Sequence, residues 1–344
     1  MGGRIKAKRL YKDKLTCGIT MGDAAGIGPE VILKALRDKS VQKLANFLII
    51  GNSSVMEQTA RKCRIKLNKD VALSDVGETS RLVFGRGTPA YGRLALDCID
   101  EALRLVKAKK IDVLVTAPVN KHTISQTGTF FQGHPVKCCA SRGSPVDEVF
   151  TGHTEYLARA TKTKKFAMML IGGPLKVVLV TRHVPLKEVA GSLSTEKIYE
   201  TLALSASYLK QYFGIRRPRI AVCGLNPHSG DEGTLGQEEI KIIRPAVIKA
   251  KALASIEGPL PSDTIFYSAL QGKFDAVVAM YHDQGLIPLK MQAFHQGVNL
   301  TLGLPFVRTS PDHGTAYNIA GKNKANPGSM IEAIKLAVEI GRAG

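Results

Sequence analysis

Short apolar runs alternate with longer amphipathic segments along most of this chain. The apolar runs are bounded by Gly, Pro, Asn or Asp, which is typical of buried strands. They lie at 15–20, 46–51, 111–119, 166–172, 175–183, 219–226, 274–281 and 298–305. Segments with the period of a helix lie at 29–38, 91–110, 194–214 and 236–254. Strands that alternate with helices predict an α/β fold with a mainly parallel sheet.

The size and composition are those of a globular protein. The chain has 344 residues, enough for one large or two ordinary domains, and 44% of them are hydrophobic. No apolar run approaches the roughly 18 residues that span a bilayer, and the basic start lacks the apolar region of a secretory signal. The six cysteines have neither CxxC spacing nor the pattern of a disulfide framework. We therefore expect a cytoplasmic protein with no membrane partner.

The formal net charge of +19 is the unusual feature of the composition. Nucleic-acid-binding proteins concentrate such charge in patches interleaved with aromatic residues. Here the aromatic content is 6%, Trp is absent, and the lysines and arginines are spread along the chain. The composition favours a solvated basic surface that attracts anionic substrates, and we expect no nucleic-acid partner.

Three histidines, His183, His228 and His282, each follow one of the apolar runs. In α/β folds, ligands collect at the carboxyl ends of the strands. Imidazole is a common ligand of divalent metals, and three protein ligands leave a coordination position open for substrate or water. Asp263 lies in a similar turn, where it fits a fourth ligand or a partner that orients an imidazole. The alternative is that a chain with eight histidines places some of them near strand ends by chance.

Two segments that precede predicted helices have the residues of an anion site. The glycine-rich turn at 21–28 can offer backbone N–H groups to an anion, or it can be an ordinary tight turn. His153 and Thr154 fit either phosphate binding or simple capping of the helix that follows.

The last part of the chain carries further candidate binding residues. Lys290, Asn299 and Arg308 recur at equal spacing, and they fit either an anionic pocket or a solvated surface. Residues 308–334 are polar and glycine-rich, which predicts a cofactor-binding loop followed by a helix; the alternative is a long surface loop.

Taken in order, these segments resemble the 4-hydroxythreonine-4-phosphate dehydrogenase family, the PdxA-like enzymes of pyridoxal phosphate biosynthesis. The resemblance runs from residue 15 to the C-terminus. It rests on TMGDAAGIGPE, TAPVNK, TGHTEYLA, LVTRHVPL, LNPHSGDEG, GPLPSDTIF, AMYHDQGLIPLK and VNLTLGLPFVRTSPDHGTAYNIAGK. It implies two α/β/α lobes with a mainly parallel sheet, like those of isocitrate and isopropylmalate dehydrogenases, with the active site in the cleft.

The resemblance also predicts how the chain is organised. The predicted parts are a basic N-terminal extension at 1–14, a first lobe at 15–130 plus 298–344, and a second lobe at 131–297. The second lobe departs from the family pattern by an inserted segment near 132–150. A milder departure is Ala24, which stands where the family usually has Pro.

The resemblance assigns three sets of binding residues. The divalent metal ligands would be His183, His228 and His282, with Asp263 beside them. The residues that bind the phosphorylated substrate would be His153, Thr154, Lys290, Asn299 and Arg308. NAD or NADP would be bound, as in the HGTA-type loop of isopropylmalate and isocitrate dehydrogenases, by His313, Gly314 and Thr315.

The implied reaction is the metal-dependent oxidation of 4-phosphohydroxy-L-threonine by NAD(P). Its product is a β-keto acid that decarboxylates to 3-amino-2-oxopropyl phosphate. Zinc, magnesium, manganese and cobalt all remain open as the metal. A general base is also required, and the sequence does not choose between Lys121 and Asp263.

Two expectations about partners and alternatives complete the sequence-based predictions. Members of the family are homodimers whose active sites lie at the interface and are completed by residues of the partner chain. Relatives within the family oxidise 4-phospho-D-threonate, 4-phospho-D-erythronate or an aromatic dihydrodiol carboxylate. An alternative outside the family's chemistry is a metal-dependent hydrolase or lyase that uses the same histidines without a nicotinamide.

Overall fold

The protein is described here from a computed structural model. The structure describes residues 14–66, 68, 70–79, 82–127, 130–131, 134–135, 150 and 152–343. The predicted basic extension, apart from residue 14, and most of the predicted insertion lie outside these residues.

Regular elements alternate along the described residues. The strands are β1 (Thr16–Thr20), β2 (Asn46–Gly51), β3 (Ala72–Asp75), β4 (Val113–Thr116), β5 (Phe130–Phe131), β6 (His134–Pro135), β7 (Ala167–Gly172), β8 (Leu175–Leu179), β9 (Arg219–Cys223), β10 (Ser255–Leu260), β11 (Ala276–Ala279), β12 (Val298–Leu302) and β13 (Val307–Pro311). The α-helices are α1 (Gly28–Ala35), α2 (Lys39–Gln42), α3 (Ser53–Lys62), α4 (Pro89–Lys107), α5 (Lys121–Ser125), α6 (His153–Ala160), α7 (Val189–Ser192), α8 (Thr195–Phe213), α9 (Arg244–Ala250), α10 (Ser262–Leu270), α11 (His282–Ala293) and α12 (Gly328–Ala343).

The chain divides into two compact units. The first comprises Met1–Thr161 and Phe306–Arg342, and the second comprises Lys162–Pro305 and Ala343–Gly344. The sequence-based boundaries between the two predicted lobes lie elsewhere, after residues 130 and 297. Helix α6 lies in the first unit, where the hydroxyl of Tyr156 donates to Asp100 Oδ1 at 2.5 Å. Strand β12 lies in the second unit, where it pairs antiparallel with β7.

In the first unit the strands β13, β4, β1, β2 and β3 lie side by side in that order. All four pairings between them are parallel. Strands β1 and β4 are buried along their whole length, as expected for parallel strands covered on both faces. Their carboxyl ends therefore meet at one edge of this unit.

In the second unit the order is β10, β9, β11, β8, β7 and β12. The first four of these strands are parallel, and the last two pairings are antiparallel. Side chains from β8, β9 and β11 pack with α10 and α11 in one apolar core, which contains Val177, Leu179, Ala221, Phe266, Val277, Leu286 and Leu289.

The predicted α/β class with mainly parallel strands is confirmed, and each predicted apolar run contains a strand. One local prediction is wrong: the start of the predicted 308–334 loop belongs to strand β13. The polar side chains of β13 can be buried there, because they form hydrogen bonds with other groups of the protein. Thr309, for example, donates from its hydroxyl to the carbonyl of Ala333 at 2.7 Å. None of the described helices is both long enough and apolar enough to span a bilayer.

Candidate functional site

The second unit brings the predicted metal residues to one edge of its parallel strands. Asp263, His228, His282 and His183 follow β10, β9, β11 and β8, respectively. Because these strands lie in that order, the four residues follow one another along the same edge. The expectation that the three histidines lie at strand ends is therefore met by the topology.

His183 and His282 form a side-by-side pair. Their ring centroids are 5.7 Å apart and their planes are tilted by 39°. His282 is the first residue of α11, and its Nδ1 lies 2.7 Å from Oδ1 of Asp283. A carboxylate at Nδ1 favours a proton on that nitrogen, which leaves Nε2 as the nitrogen that accepts a metal. The donor chemistry of this pair fits a divalent metal.

His228 lies in a tight segment, Pro227–Gly233, with an unusual backbone. Residues 228–232 all have left-handed φ values, from 44° at Asp231 to 82° at Gly230. Such a run is sterically unfavourable for residues with a Cβ, and strain of this kind is found mainly where function requires it.

The buried carboxylate of Glu239 holds the start of this segment. Its Oε1 accepts the backbone N–H groups of Leu225 and Asn226 at 2.8 and 2.7 Å. Its Oε2 accepts the side-chain amide of Asn226 at 3.0 Å and lies 2.6 Å from where a Cβ on Gly230 would be. Glu239 begins a π-helical turn, Glu239–Ile243, a feature that is frequent at functional sites.

The described residues contain no group of three or more His, Cys, Asp or Glu side chains arranged to hold a metal ion. Asp263 is exposed in the first turn of α10. The histidine pair is thus the part of the predicted metal site that the structure brings together. The participation of His228 and Asp263 stays a prediction.

The first unit contains a buried cationic group around Arg308. Arg308 is only 2% exposed, and its Nε and Nη2 donate to the hydroxyl of Thr116 at 3.1 and 2.5 Å. Its Nη1 donates to the hydroxyl of Thr154 at 3.5 Å. Burial lowers the pKa of Arg308 to about 10, partly offset by the charge of Glu155, so the guanidinium is still charged at neutral pH.

His153 and Lys121 lie next to this guanidinium. His153 is the first residue of α6, and among the described residues its buried Nε2 has no hydrogen-bond partner. Burial and the positive charges of Arg308 and Lys121 hold the pKa of His153 well below its usual range. The Lys121 Nζ lies 3.7 Å from where a Cβ on Gly152, the residue before α6, would be.

Lys121 is exposed as a residue, yet its amine is partly desolvated. Desolvation lowers the pKa of Lys121, and the charge of Glu155 opposes the shift. Arg308, Lys121 and a helix N-terminus thus direct positive charge toward the imidazole of His153, an arrangement that favours an anion such as phosphate.

The two remaining predicted substrate residues lie in the second unit. Asn299 is in β12, and among the described residues its buried Oδ1 has no hydrogen-bond partner. Lys290 is in α11, where its Nζ lies 5.7 Å from the ring centroid of Phe294.

The predicted cofactor residues His313, Gly314 and Thr315 follow β13 at the carboxyl edge of the first unit. The carbonyl of Thr315 accepts the N–H of Ile27 at 2.9 Å, and a Cβ on Gly314 would meet no atom within 4 Å. The loop is therefore fixed at Thr315 and has open space at Gly314.

The predicted glycine-rich turn contacts this loop, and several of its N–H groups donate hydrogen bonds to protein acceptors. Ala25 N–H donates to Oδ1 of Asp23, and Gly26 N–H donates to the carbonyl of the same residue. The other carboxylate oxygen of Asp23 accepts the Tyr317 hydroxyl at 2.6 Å. The N–H groups of Asp23, Ala25, Gly26 and Ile27 thus have protein acceptors, and this part of the turn supports the predicted cofactor loop.

Several residues around the site were missed by sequence reasoning. They are Asp23, Thr116, Glu239, Gln284 and Tyr317. Thr116 carried a usable signal, because it ends a predicted strand of the kind that delivers site residues. The other four are single polar residues whose partners lie far away in the sequence or across a turn.

Comparison with known proteins agrees with this geometry. The profile of the family described as "Pyridoxal phosphate biosynthetic protein PdxA" matches residues 42–142 and 145–337. A 4-hydroxythreonine-4-phosphate dehydrogenase from Desulforapulum autotrophicum is 42% identical over 337 residues, which cover 93% of this chain and 94% of that protein. The D-threonate 4-phosphate dehydrogenase of Pectobacterium atrosepticum is 37% identical over 344 residues, or 94% and 98% of the two chains.

Solved structures give the same result. The crystal structure of 4-hydroxythreonine-4-phosphate dehydrogenase from Klebsiella pneumoniae is similar with a TM-score of 0.78 and 35% identity. The match covers 96% of this chain and 100% of that one. Fold and sequence together define the protein as an oxidoreductase of the dehydrogenase class. The chain belongs to the PdxA family.

Proposed function

We propose that this dehydrogenase oxidises 4-phosphohydroxy-L-threonine with NAD(P) and a divalent metal. The β-keto acid that results decarboxylates to 3-amino-2-oxopropyl phosphate, a step toward pyridoxal 5'-phosphate. The observation that carries the proposal is the buried guanidinium of Arg308 beside the unpartnered Nε2 of His153. A buried cation and a buried donor at a helix N-terminus suit a phosphate ester, since phosphate can supply the missing acceptor atoms.

The residues of the first unit bind and orient the phosphate. Arg308 offers a planar donor fork, and the hydroxyls of Thr116 and Thr154 hold that fork in place. An arriving dianion reverses the local field, so His153 takes up a proton more readily and donates from Nε2. Lys290 and Asn299 are the predicted phosphate contacts in the second unit.

His183, His228 and His282 are the proposed metal ligands, with Asp263 beside them. When bound, zinc, magnesium, manganese or cobalt would supply Lewis-acid stabilisation of the substrate alkoxide. The paired rings of His183 and His282 and the carboxylate of Asp283 support this assignment. The described residues of one chain contain no three-residue group, and in the proposed homodimer a partner chain would complete the site.

Lys121 is the better supported general base of the two predicted ones. Its pKa is lowered by desolvation of the amine, which brings the neutral, proton-accepting form closer to neutral pH. Asp263 is exposed, and its predicted place is beside the metal. His313, Gly314 and Thr315 are the proposed contacts of NAD or NADP, which would accept the hydride.

The homodimer is supported by an apolar stripe on α11. Ile287, Met291 and Phe294 are 59%, 85% and 69% exposed, and their spacing places them on one side of the helix. Contiguous exposed apolar side chains mark interaction surfaces. The same helix carries His282 and Lys290, so a second copy seated on the stripe would lie beside predicted site residues.

A substrate panel tests the proposed reaction. The purified enzyme is assayed for NAD(P)H formation with each metal on 4-phosphohydroxy-L-threonine, on its unphosphorylated form, on 4-phospho-D-threonate and on 4-phospho-D-erythronate. We expect the highest kcat/KM on 4-phosphohydroxy-L-threonine and little turnover without the phosphate. Turnover on a phosphorylated D-acid alone would contradict the proposal.

Two variants test the assigned groups. Arg308→Lys should raise KM for the phosphorylated substrate roughly 10- to 100-fold, because a charge-assisted hydrogen bond contributes about 1.5–3 kcal/mol. The exposed Arg216→Lys serves as the control. His228→Ala should abolish turnover while the fold is kept, and near-normal activity would remove His228 from the metal site.

The second candidate substrate is 4-phospho-D-threonate. It is favoured by the 37% identity to a D-threonate 4-phosphate dehydrogenase over nearly the full chain. The same panel decides between the two substrates. The dehydrogenase relatives favour oxidation over the hydrolase or lyase alternative.

A further inference from the structure

The side chain of Gln284 lies directly beneath the edge that carries the predicted metal residues. Gln284 is in the first turn of α11, two residues after His282, and it is 9% exposed. Its Oε1 accepts the backbone N–H of Met280 at 2.6 Å. Its Nε2 donates to the carbonyl of Gly224 at 2.7 Å and to the hydroxyl of Ser262 at 2.8 Å.

Each of these bonds ends on a segment that carries a predicted metal-site residue. Met280 ends the stretch that leads into His282, and Gly224 begins the turn that leads to His228. Ser262 directly precedes Asp263, and its own hydroxyl donates to Gly224 at 3.1 Å. One amide therefore connects the ends of β9, β10 and β11.

The fourth segment joins the same network through Met280. The carbonyl of Met280 accepts both the N–H and the hydroxyl of Thr181, at 3.1 and 2.7 Å. Thr181 lies two residues before His183 on the segment after β8. All four strand ends that carry His183, His228, Asp263 and His282 are thus linked within one chain.

The chemistry of the network requires an amide at position 284. The side chain must accept from one backbone N–H and donate to both a carbonyl and a hydroxyl, and only Asn and Gln do both. A carboxylate cannot donate, and the shorter Asn does not have the same reach. Ordinary core packing does not need this arrangement, because Leu286 and Leu289 of the same helix already bury its apolar face.

We propose that Gln284 is the positioning residue of the metal site, which fixes the relative placement of the segments that carry His183, His228, Asp263 and His282. The inference rests on the proposed function, since it assumes that these residues bind the metal. It concerns the placement of the ligands and not contact with metal or substrate.

The test measures metal binding directly. Gln284→Met keeps the side-chain length but removes all three hydrogen bonds. Zn²⁺ and Co²⁺ are titrated into the metal-free full-length protein, and the visible spectrum of bound Co²⁺ reports ligand geometry. We expect the affinity to fall 10- to 100-fold, as is typical for loss of a residue that orients metal ligands, and the Co²⁺ spectrum to change.

Two controls separate positioning from general stability. Gln292→Met makes the same change at an exposed position of α11 and should bind metal like the wild type. Tyr208→Phe removes a hydroxyl that accepts the N–H of Gly303 at 2.8 Å elsewhere in this unit, so it lowers stability without affecting the strand ends. If Gln284→Met does not fold, Ser262→Ala removes two bonds of the same network and should give a smaller loss of affinity.

The outcomes distinguish this inference from the proposed function. Loss of metal binding in His183→Ala and His282→Ala, but wild-type affinity and Co²⁺ spectrum in Gln284→Met, overturns the positioning role alone. Unchanged metal binding in the histidine variants overturns the proposed metal site and, with it, the role of Gln284. The positioning role is also overturned if Tyr208→Phe, at the same stability as Gln284→Met, loses the same metal affinity, because the loss would then follow from stability alone.

Discussion

The buried charge of Arg308 determines the electrostatics of the first unit at the scale of single residues. Burial lowers the pKa of the neighbouring His153, and the positive charges of Arg308 and Lys121 lower it further, so this imidazole stays neutral. The group is therefore arranged for a ligand that brings negative charge. Its members come from β4, α5, α6 and β13, so no short motif contains them all.

The neutral state of His153 makes stability depend on pH. Its folded pKa is lowered below the unfolded value near 6.5, so the unfolded chain binds the proton more strongly. The contribution is complete above pH 6.5 and is lost as the pH falls toward the folded pKa. The slope for one proton is at most about 1.4 kcal/mol per pH unit.

We expect His153→Gln to flatten this dependence. Urea unfolding of the wild type and the variant between pH 7.5 and 5.5 measures it, with the exposed His122→Gln as control. Equal pH slopes in the wild type and His153→Gln would show that His153 does not stay neutral in the folded protein.

A single site residue could be predicted where its signal lies in the neighbouring sequence, and not where it depends on distant partners. The three histidines could be predicted because each follows an apolar run, and that pattern is local. Gln284 could not, because its partner Gly224 lies 60 positions away. Glu239 could not, since a glutamate in a helical segment is usually solvated.

At the scale of elements, the turn that carries His228 depends on one carboxylate. Glu239 satisfies the N–H groups of Leu225 and Asn226, which the left-handed backbone that follows leaves without a regular partner. The π-helical turn that begins at Glu239 brings the carboxylate under the segment. The π-helical turn thus stabilises the strained backbone around His228 through the hydrogen bonds of Glu239.

Replacing this carboxylate should loosen the turn. Glu239→Gln leaves one acceptor oxygen and removes the charge, so the free energy of unfolding should fall by about 2 kcal/mol. Hydrogen exchange of residues 225–232 should rise more than elsewhere in the unit. Glu232→Gln, in the same turn but exposed, is the control and should change neither quantity. Unaltered hydrogen exchange in Glu239→Gln would show that Glu239 does not stabilise this turn.

Elements with strong apolar patterns could be predicted from the sequence, and those with mixed patterns could not. Strands β1, β4 and β8 are almost wholly buried, and each lies inside one of the apolar runs that predict a strand. The sequence predicts a loop where β13 lies, because Arg308, Thr309 and Ser310 are polar, although all three are buried. Helix α11 contains Gly285 and Pro288, which weaken any helical signal.

At the scale of the whole molecule, the stripe on α11 predicts assembly. We expect the wild type to be a homodimer and Met291→Glu to be a monomer, because a charge would be buried against a second copy. Light scattering after gel filtration measures the mass, with Gln292→Glu on the same helix as the control. A dimer that persists in Met291→Glu would place the interface on another surface.

The division of the chain into a continuous and a discontinuous unit sets the order in which the protein can be completed during synthesis. All elements of the second unit lie within Lys162–Pro305, so this unit can fold as soon as that stretch has left the ribosome. The first unit has to wait, because β13 and the partner of Asp23 are made last. The support of the predicted cofactor loop joins positions 294 residues apart, so this loop cannot be held in place before the nascent chain is almost complete.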